Sequence, residues 1–259
     1  MSFLSKLKAR TATTGNLCIG LDPRIEKHEN SLTKVESDLR QLIEDTAPFA
    51  AAFKPNSAYF ESLGPEGFAL LARLNSDIPD DIPVVLDVKR SDIGETQRRY
   101  AIACFEHLHA DAVTLNPFMG YDSIEPFLDF PGEHGLYLLA LTSNPGSADF
   151  QRLTPDGLPL YQRVGDMALR AAKEERSSSV GLVVGLTNAG SEVLTSIPDV
   201  PLLIPGLGAQ GGDLSTLAQE NRQAPNLINV SRGVLYPSNR ISPAEAAINY
   251  QAAIRDALS

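Results

Sequence analysis

Eight short apolar runs recur along the chain, at residues 17–21, 50–53, 84–86, 112–115, 137–141, 180–184, 202–204 and 227–230, each of strand length. Between them lie mixed polar and apolar segments of helical length, among them residues 34–46, 65–75, 96–109, 160–175 and 214–221. Phe3, Leu4 and Leu7 share a helical spacing and predict a further short amphipathic helix over residues 1–10. Alternating strands and helices predict parallel strands joined by right-handed crossovers. Such units form either a closed barrel or an open doubly wound sheet, and periodicity alone does not separate the two.

The polar residues after each run favour the barrel. Asp22 follows the first, Lys54 and Asn56 the second, Asp87 and Lys89 the third, and Asn116 the fourth. Thr142 with Ser143, Thr187 with Asn188, the glycine-rich residues 206–212, and Ser231 with Arg232 follow the remaining four. In a (β/α)8 TIM barrel all eight strand ends converge on one mouth, where the active sites of this fold sit; in an open sheet they would spread along an edge. The expectation is one (β/α)8-barrel domain over residues 1–259. Residues 144–159 carry Pro and Gly without apolar periodicity, so they form either a lid or an elaborated surface loop.

Composition narrows the function classes. A hydrophobic fraction of 43% and a charged fraction of 21% are those of an ordinary globular chain. No stretch approaches the roughly 18 uninterrupted apolar residues of a membrane span, and Lys6 and Lys8 interrupt any secretory core. Cys18 and Cys104 provide no disulfide framework, which fits a reducing cytoplasm. A net charge of -10 disfavours a general nucleic-acid surface, so an anion site here must be locally positive on an acidic background.

The most informative stretch is Asp87-Val88-Lys89-Arg90-Ser91-Asp92-Ile93-Gly94. Side chains alternate across a strand, so Asp87 and Lys89 project to the same side, over the barrel mouth. An ion pair at a strand end is common and adds little when exposed. Lys54, at the end of the preceding strand, argues for more than that: two lysines and the two aspartates Asp87 and Asp92 would share one small volume, an array that holds Lys89 protonated and Asp87 ionised and suits proton donation. Asp92 falls near the start of the next helix, where its bland role is capping free N–H groups.

The second constellation is Pro205-Gly206-Leu207-Gly208-Ala209-Gln210-Gly211-Gly212. Its glycines match G-x-G-x-x-G, but the acidic residue expected about 20 positions on is absent, so a dinucleotide site is rejected. Phosphate binding is the better account: backbone N–H groups of a glycine-rich loop close around an anion, and barrels often use the loops after strands seven and eight. Arg232, in Ser231-Arg232-Gly233, is the cationic partner, and Gln210 a neutral donor. Asp22 either starts a turn or accepts a ribose hydroxyl, and Ser143 either makes a turn or meets a heterocycle. His28, His107, His109 and His134 have no metal-ligand spacing, so no catalytic metal is expected.

Taken in order, Gly20-Leu21-Asp22-Pro23, Phe53-Lys54-Pro55-Asn56, Asp87 to Gly94 with Thr96, Thr142-Ser143-Asn144-Pro145-Gly146, the glycine-rich loop and Ser231-Arg232-Gly233 resemble the orotidine 5'-phosphate decarboxylase family, in its bacterial variety with the Asp-x-Lys-Arg-x-Asp-Ile-Gly motif. The resemblance implies conversion of orotidine 5'-phosphate to UMP in pyrimidine biosynthesis, with no metal or cofactor. It also implies a homodimer in which each site borrows Asp92, Ile93 and Thr96 from the other subunit. Lys54, Asp87, Lys89 and Asp92 would form the charged network, with Lys89 protonating pyrimidine C6. Asp22 would hold the ribose and Ser143 the base, while Pro205, Gln210, Gly211, Arg232 and Gly233 would surround the phosphate. A related barrel group, the magnesium-dependent sugar-phosphate decarboxylases and aldolases, carries Asp-x-Lys-x-x-Asp but is expected to have an acidic residue in place of Lys54, since a lysine repels a divalent cation. A non-catalytic phosphate sensor would not need both lysines, and a Schiff-base aldolase would need Lys89 neutral, against the effect of its carboxylates.

Overall fold

The computed structural model describes the whole chain except residues 175, 177, 188, 207–213, 221, 239, 240 and 259. Eight parallel strands alternate with helices: β1 (Leu17–Leu21), β2 (Ala52–Pro55), β3 (Val85–Arg90), β4 (Ala112–Leu115), β5 (Gly135–Leu141), β6 (Ser179–Val184), β7 (Leu202–Pro205) and β8 (Asn226–Val230). They hydrogen-bond in the order β2-β1-β8-β7-β6-β5-β4-β3. Isolated parallel bridges from Phe53 to Val84 and from Asn56 to Asp87 bring β2 back to β3. The fold is a TIM barrel, with all eight strands at the places the apolar runs predict.

Boundaries differ where polar residues continue a strand. β2 begins at Ala52 and runs through Lys54 to Pro55, and β3 runs through Asp87 and Lys89 to Arg90. The segment read as one helix over 96–109 is Gly94–Ile102 followed by a π-helical turn at Ala103–His107, so His109, at a φ of 51°, lies beyond it. Residues 144–159 hold two short turns of helix, Ser147–Phe150 and Pro155–Gly157. Pro243–Leu258 forms a long helix that the apolar pattern did not announce, because its buried face is largely alanine, with Ala246 and Ala247 beside Ile254.

Strand alternation builds two cores. Outward residues such as Ile19, Phe53, Leu86, Val113, Leu138 and Ile228 join the surrounding helices in a large outer layer. Inward residues Cys18, Ala52, Val85, Ala112, Tyr137, Val183, Leu203 and Leu227 fill the barrel. The N-terminal helix, Phe3–Thr14, extends beyond the expected residues 1–10 and adds Phe3 and Leu7 to this inner core. The Phe3 ring meets Tyr137 edge-on at 6.0 Å. It sits so close to Gly135 that any side chain there would collide with it.

A charged network at the barrel mouth

Asp87 is the hub of the mouth. Lys54 Nζ lies 3.0 Å from its Oδ2 and Lys89 Nζ 2.6 Å from its Oδ1. The Thr114 hydroxyl donates to Oδ1 at 2.9 Å, and Asn56 Nδ2 donates to Oδ2 at 3.4 Å. Alternation explains the convergence: Lys54 lies two residues beyond inward-facing Ala52, Asp87 two beyond Val85, and Thr114 two beyond Ala112. Thr114 was not singled out in the sequence; its signal is a hydroxyl at an inward position just before a strand end.

Lys89 has a φ of 45°, a left-handed conformation that costs a non-glycine residue about 1–2 kcal/mol. The register of β3 against β4 shifts between Leu86 and Arg90, so the chain bulges there. The Lys89 N–H donates at 3.0 Å to Thr114, which holds the bulge and aims the ammonium at Asp87. Lys54 and Asp87 are buried, while the Lys89 side chain keeps 48% of its surface, the difference between an anchored charge and one able to meet a ligand.

Burial alone would raise the Asp87 carboxyl, but the adjacent charges of Lys54 and Lys89 outweigh it and hold the group well below the ordinary carboxylate range. Burial would likewise lower the Lys54 ammonium, yet Asp87 and Asp22 outweigh it and raise the group above an ordinary lysine. Both residues are therefore ionised across the neutral range.

Asp22 follows β1, and its Oδ2 accepts from the Ser231 hydroxyl. Ser231 comes close enough that a side chain at Gly20 would collide with it. Arg232 follows directly, exposed at the start of the short helix Arg232–Leu235. The Gly233 Cα faces Tyr250, whose ring a Cβ would meet at 2.7 Å. Pro205 ends β7, and Gly206, at a φ of 93°, turns the chain out of the barrel. Gln210 and Gly211 lie outside the described residues. Ser143 is half-buried beside Gly185, where a Cβ would come within 2.7 Å of the Ser143 nitrogen.

Asp92, Ile93 and Thr96 are not brought to the Asp87 hub. Asp92 is not the N-cap of Gly94–Ile102; Ile93 holds that position, and Asp92 accepts from the Ile93 N–H at 2.8 Å. Ile93 keeps 58% of its surface and Thr96 is exposed.

A further relay escaped the sequence reading. Asp38 Oδ2 lies 2.8 Å from His28 Nδ1, and His28 Nε2 lies 3.1 Å from the Tyr236 hydroxyl, which accepts from the Arg24 N–H at 2.8 Å. It ties the loop after β1 to the loop after β8. Its members span residues 24 to 236, so no local spacing could reveal it. Among the described residues no group of three or more His, Cys, Asp or Glu is placed to hold a metal ion, and no helix is long and apolar enough to cross a membrane.

A TIM barrel with a buried lysine–aspartate pair and a half-exposed second lysine at its mouth, and an arginine after β8, defines a class of barrel enzymes that act on anionic substrates. The model of the orotidine 5'-phosphate decarboxylase / HUMPS family matches residues 15–247, and the chain belongs to that family. It is 42% identical over 255 residues to the orotidine 5'-phosphate decarboxylase of Herpetosiphon aurantiacus, covering 95% of this chain and 93% of that one. A Cupriavidus necator protein of the same name is 42% identical over 272 residues, covering 100% and 98%. Among solved structures, the Leishmania donovani OMP decarboxylase superposes with a TM-score of 0.87 at 36% identity, covering 100% of this chain and 99% of that one. The Leishmania donovani UMP synthase gives a TM-score of 0.89 at 38% identity; the chain is covered in full but spans only 57% of that protein.

Proposed function

We propose that the chain decarboxylates orotidine 5'-phosphate to UMP, as a step of pyrimidine biosynthesis, without a metal or cofactor and with Lys89 as the proton donor. The observation that carries this reading is the half-exposed Lys89 ammonium held 2.6 Å from buried Asp87, which Lys54 neutralises from behind. When the carbon–carboxylate bond breaks and carbon dioxide leaves, the electron pair stays on sp2 carbon C6, where no π system lies in line to accept it. A fixed ammonium stabilises that charge without reorganising, and its proton then passes to C6. Asp87 would lie beside the departing carboxylate and keep Lys89 charged until that moment. Lys54 at the end of β2 disfavours the magnesium-dependent alternative, because its ammonium repels a divalent cation.

In this reading Asp22 holds the ribose, Ser143 the pyrimidine, and Arg232 with Gly233, Pro205, Gln210 and Gly211 the phosphate. Binding energy from the phosphate, remote from the breaking bond, is then available to assemble the site. The enzyme is a cytoplasmic homodimer of single-domain subunits, and Asp92, Ile93 and Thr96 complete the neighbouring subunit's site. Support for the dimer comes from the rim: besides Ile93, Phe118 keeps 78% of its surface and Phe150 60%, their rings 6.2 Å apart, an apolar surface that a free monomer would leave in water.

The test is the fall in ultraviolet absorbance of orotidine 5'-phosphate with purified protein in excess EDTA, beside Lys89→Ala. Rapid loss with the wild type and a decrease of about 10³-fold or more in the variant is the expected result. No turnover by well-folded wild type would overturn the assignment. For the shared site, mixing inactive Lys89→Ala and Asp92→Ala proteins restores about a quarter of wild-type activity, since half the subunits pair as hybrids and each hybrid has one intact site. No recovery on mixing would rule out exchange of Asp92 between subunits.

A further inference from the structure

Arg232 sits between two cross-links to the loop after β1. On its N-terminal side the Ser231 hydroxyl donates to Asp22, and on its C-terminal side the Tyr236 hydroxyl accepts from the Arg24 N–H at 2.8 Å. Asp22 and Arg24 are separated only by Pro23, whose ring fixes its own φ, so the two points are held at a set spacing. The Tyr236 N–H also donates to the Arg232 carbonyl at 3.0 Å, closing the single turn of helix that carries the arginine. Val234 and Leu235 of this turn are buried, while Arg232 is exposed.

The Tyr236 hydroxyl is itself aimed. Burial would raise the Asp38 carboxyl, but Lys34 and His28 outweigh it and hold the group below the ordinary carboxylate range, so Asp38 accepts. His28 Nδ1, 2.8 Å from it, is then the donor. Tyr236 Oη already accepts from Arg24, so its one proton goes to His28 Nε2 at 3.1 Å. Hydrogen bonds thus run in one direction, from the Arg24 N–H through tyrosine and imidazole to a carboxylate that Lys34 meets at 2.6 Å. His28 is buried, and the turn that follows it is strained: Glu29, at a φ of 56°, and Asn30, at 53°, are both left-handed, which costs a residue such as Glu29 about 1–2 kcal/mol. Such strain persists where surrounding contacts fix it, and it gathers at positions under functional constraint.

We infer that Tyr236 and His28 are positioning residues, which hold the turn bearing Arg232 at a fixed distance from the loop after β1 so that the guanidinium meets its anion without reorganising. The inference rests on the reading of Arg232 as the phosphate ligand. A misplacement of about 1 Å far from the chemistry can cost about 10²-fold in rate, so a hydroxyl that only sets this spacing has a measurable effect.

The experiment is a double-mutant cycle read in kcat/KM for orotidine 5'-phosphate, with the full chain, Tyr236→Phe, Arg232→Ala and the two combined. Tyr236→Phe is expected to lower kcat/KM about tenfold, and to change it by less than about twofold when residue 232 is already alanine, because its effect passes through the arginine. His28→Ala should repeat this pattern and serves in its place should Tyr236→Phe not fold; His28→Gln, whose amide oxygen can still take the tyrosine proton, should recover most of the loss. Losses that add in the combined variant would mean that the hydroxyl only stabilises the fold, and no loss in Tyr236→Phe would mean that the spacing does not depend on it; either overturns the inference. Arg232→Ala tests the premise separately. If that variant alone keeps wild-type kcat/KM, the phosphate reading of Arg232 fails and the inference falls with it; if it loses activity while the cycle is additive, the inference alone fails.

Discussion

The two ends of the barrel use the same strands for opposite purposes. At the N-terminal end Phe3 and Leu7 insert among Tyr137, Val85 and Leu227, and the contacts are apolar and buried. At the C-terminal end the same strands finish in Lys54, Asp87, Thr114 and Asn229, with a left-handed lysine, a bulge and unsatisfied acceptors. Stability and chemistry are thus separated along the strand axis. A cavity of about 520 Å³ lined by Ser2, Lys8, His134, Arg176 and Pro225 lies at the N-terminal rim, and one of the same volume lined by Pro145, Ser147, Leu186 and Gly190 lies beyond β5 and β6 at the other end.

The sharpest way to break this division is Asp87→Ala, which strikes both properties at once. Lys54 is left buried without its carboxylate, so unfolding free energy should fall by about 3–5 kcal/mol in denaturant titrations and decarboxylation by about 10³-fold or more. Arg232→Ala should lower kcat/KM by about 10²-fold while leaving the denaturation midpoint unchanged, since the residue is exposed and, in the proposed reading, serves only to bind the phosphate. Leu7→Ala is the mirror experiment: a loss of about 2–5 kcal/mol in stability with kcat/KM preserved, measured well below the melting temperature. A parallel loss of activity there would show the ends to be coupled.

The smallest effect expected is that of pH. Asp87, with its folded pKa depressed, contributes stability fully present above the ordinary carboxylate value of 3.8 and lost as pH falls through the folded value. Lys54, with its folded pKa raised, contributes stability fully present below the ordinary 10.5 and lost as pH rises through the folded value. Denaturation midpoints should therefore show no contribution from this pair between about pH 5 and 9. A slope that Asp87→Asn abolishes would contradict the ionisation states assigned here.

Much of the mouth was legible because strand alternation is local. Ala52 to Lys54 and Val85 to Asp87 to Lys89 are spacings of two, and a run of apolar residues followed by a charge marks the strand end without reference to any partner. The helix Gly94–Ile102 was placed two residues late, because Ile93 caps it with extended backbone and Gly94 carries a φ of 51°, which residue type does not announce.

By itself the chain's order of residues determined eight strands, their alternation with helices, and the charged and glycine-rich segments at their ends, all properties of period two or 3.6 that each segment carries alone. Tertiary structure decided the rest. Closure of β2 onto β3 sets Lys54 against Asp87, 33 residues away, and the register of β4 brings Thr114 beneath both. The same closure turns Phe3 into a plug and leaves Asn229 Oδ1 without a donor among the described residues. These contacts depend on the stagger between strands, a property of the closed barrel as a whole.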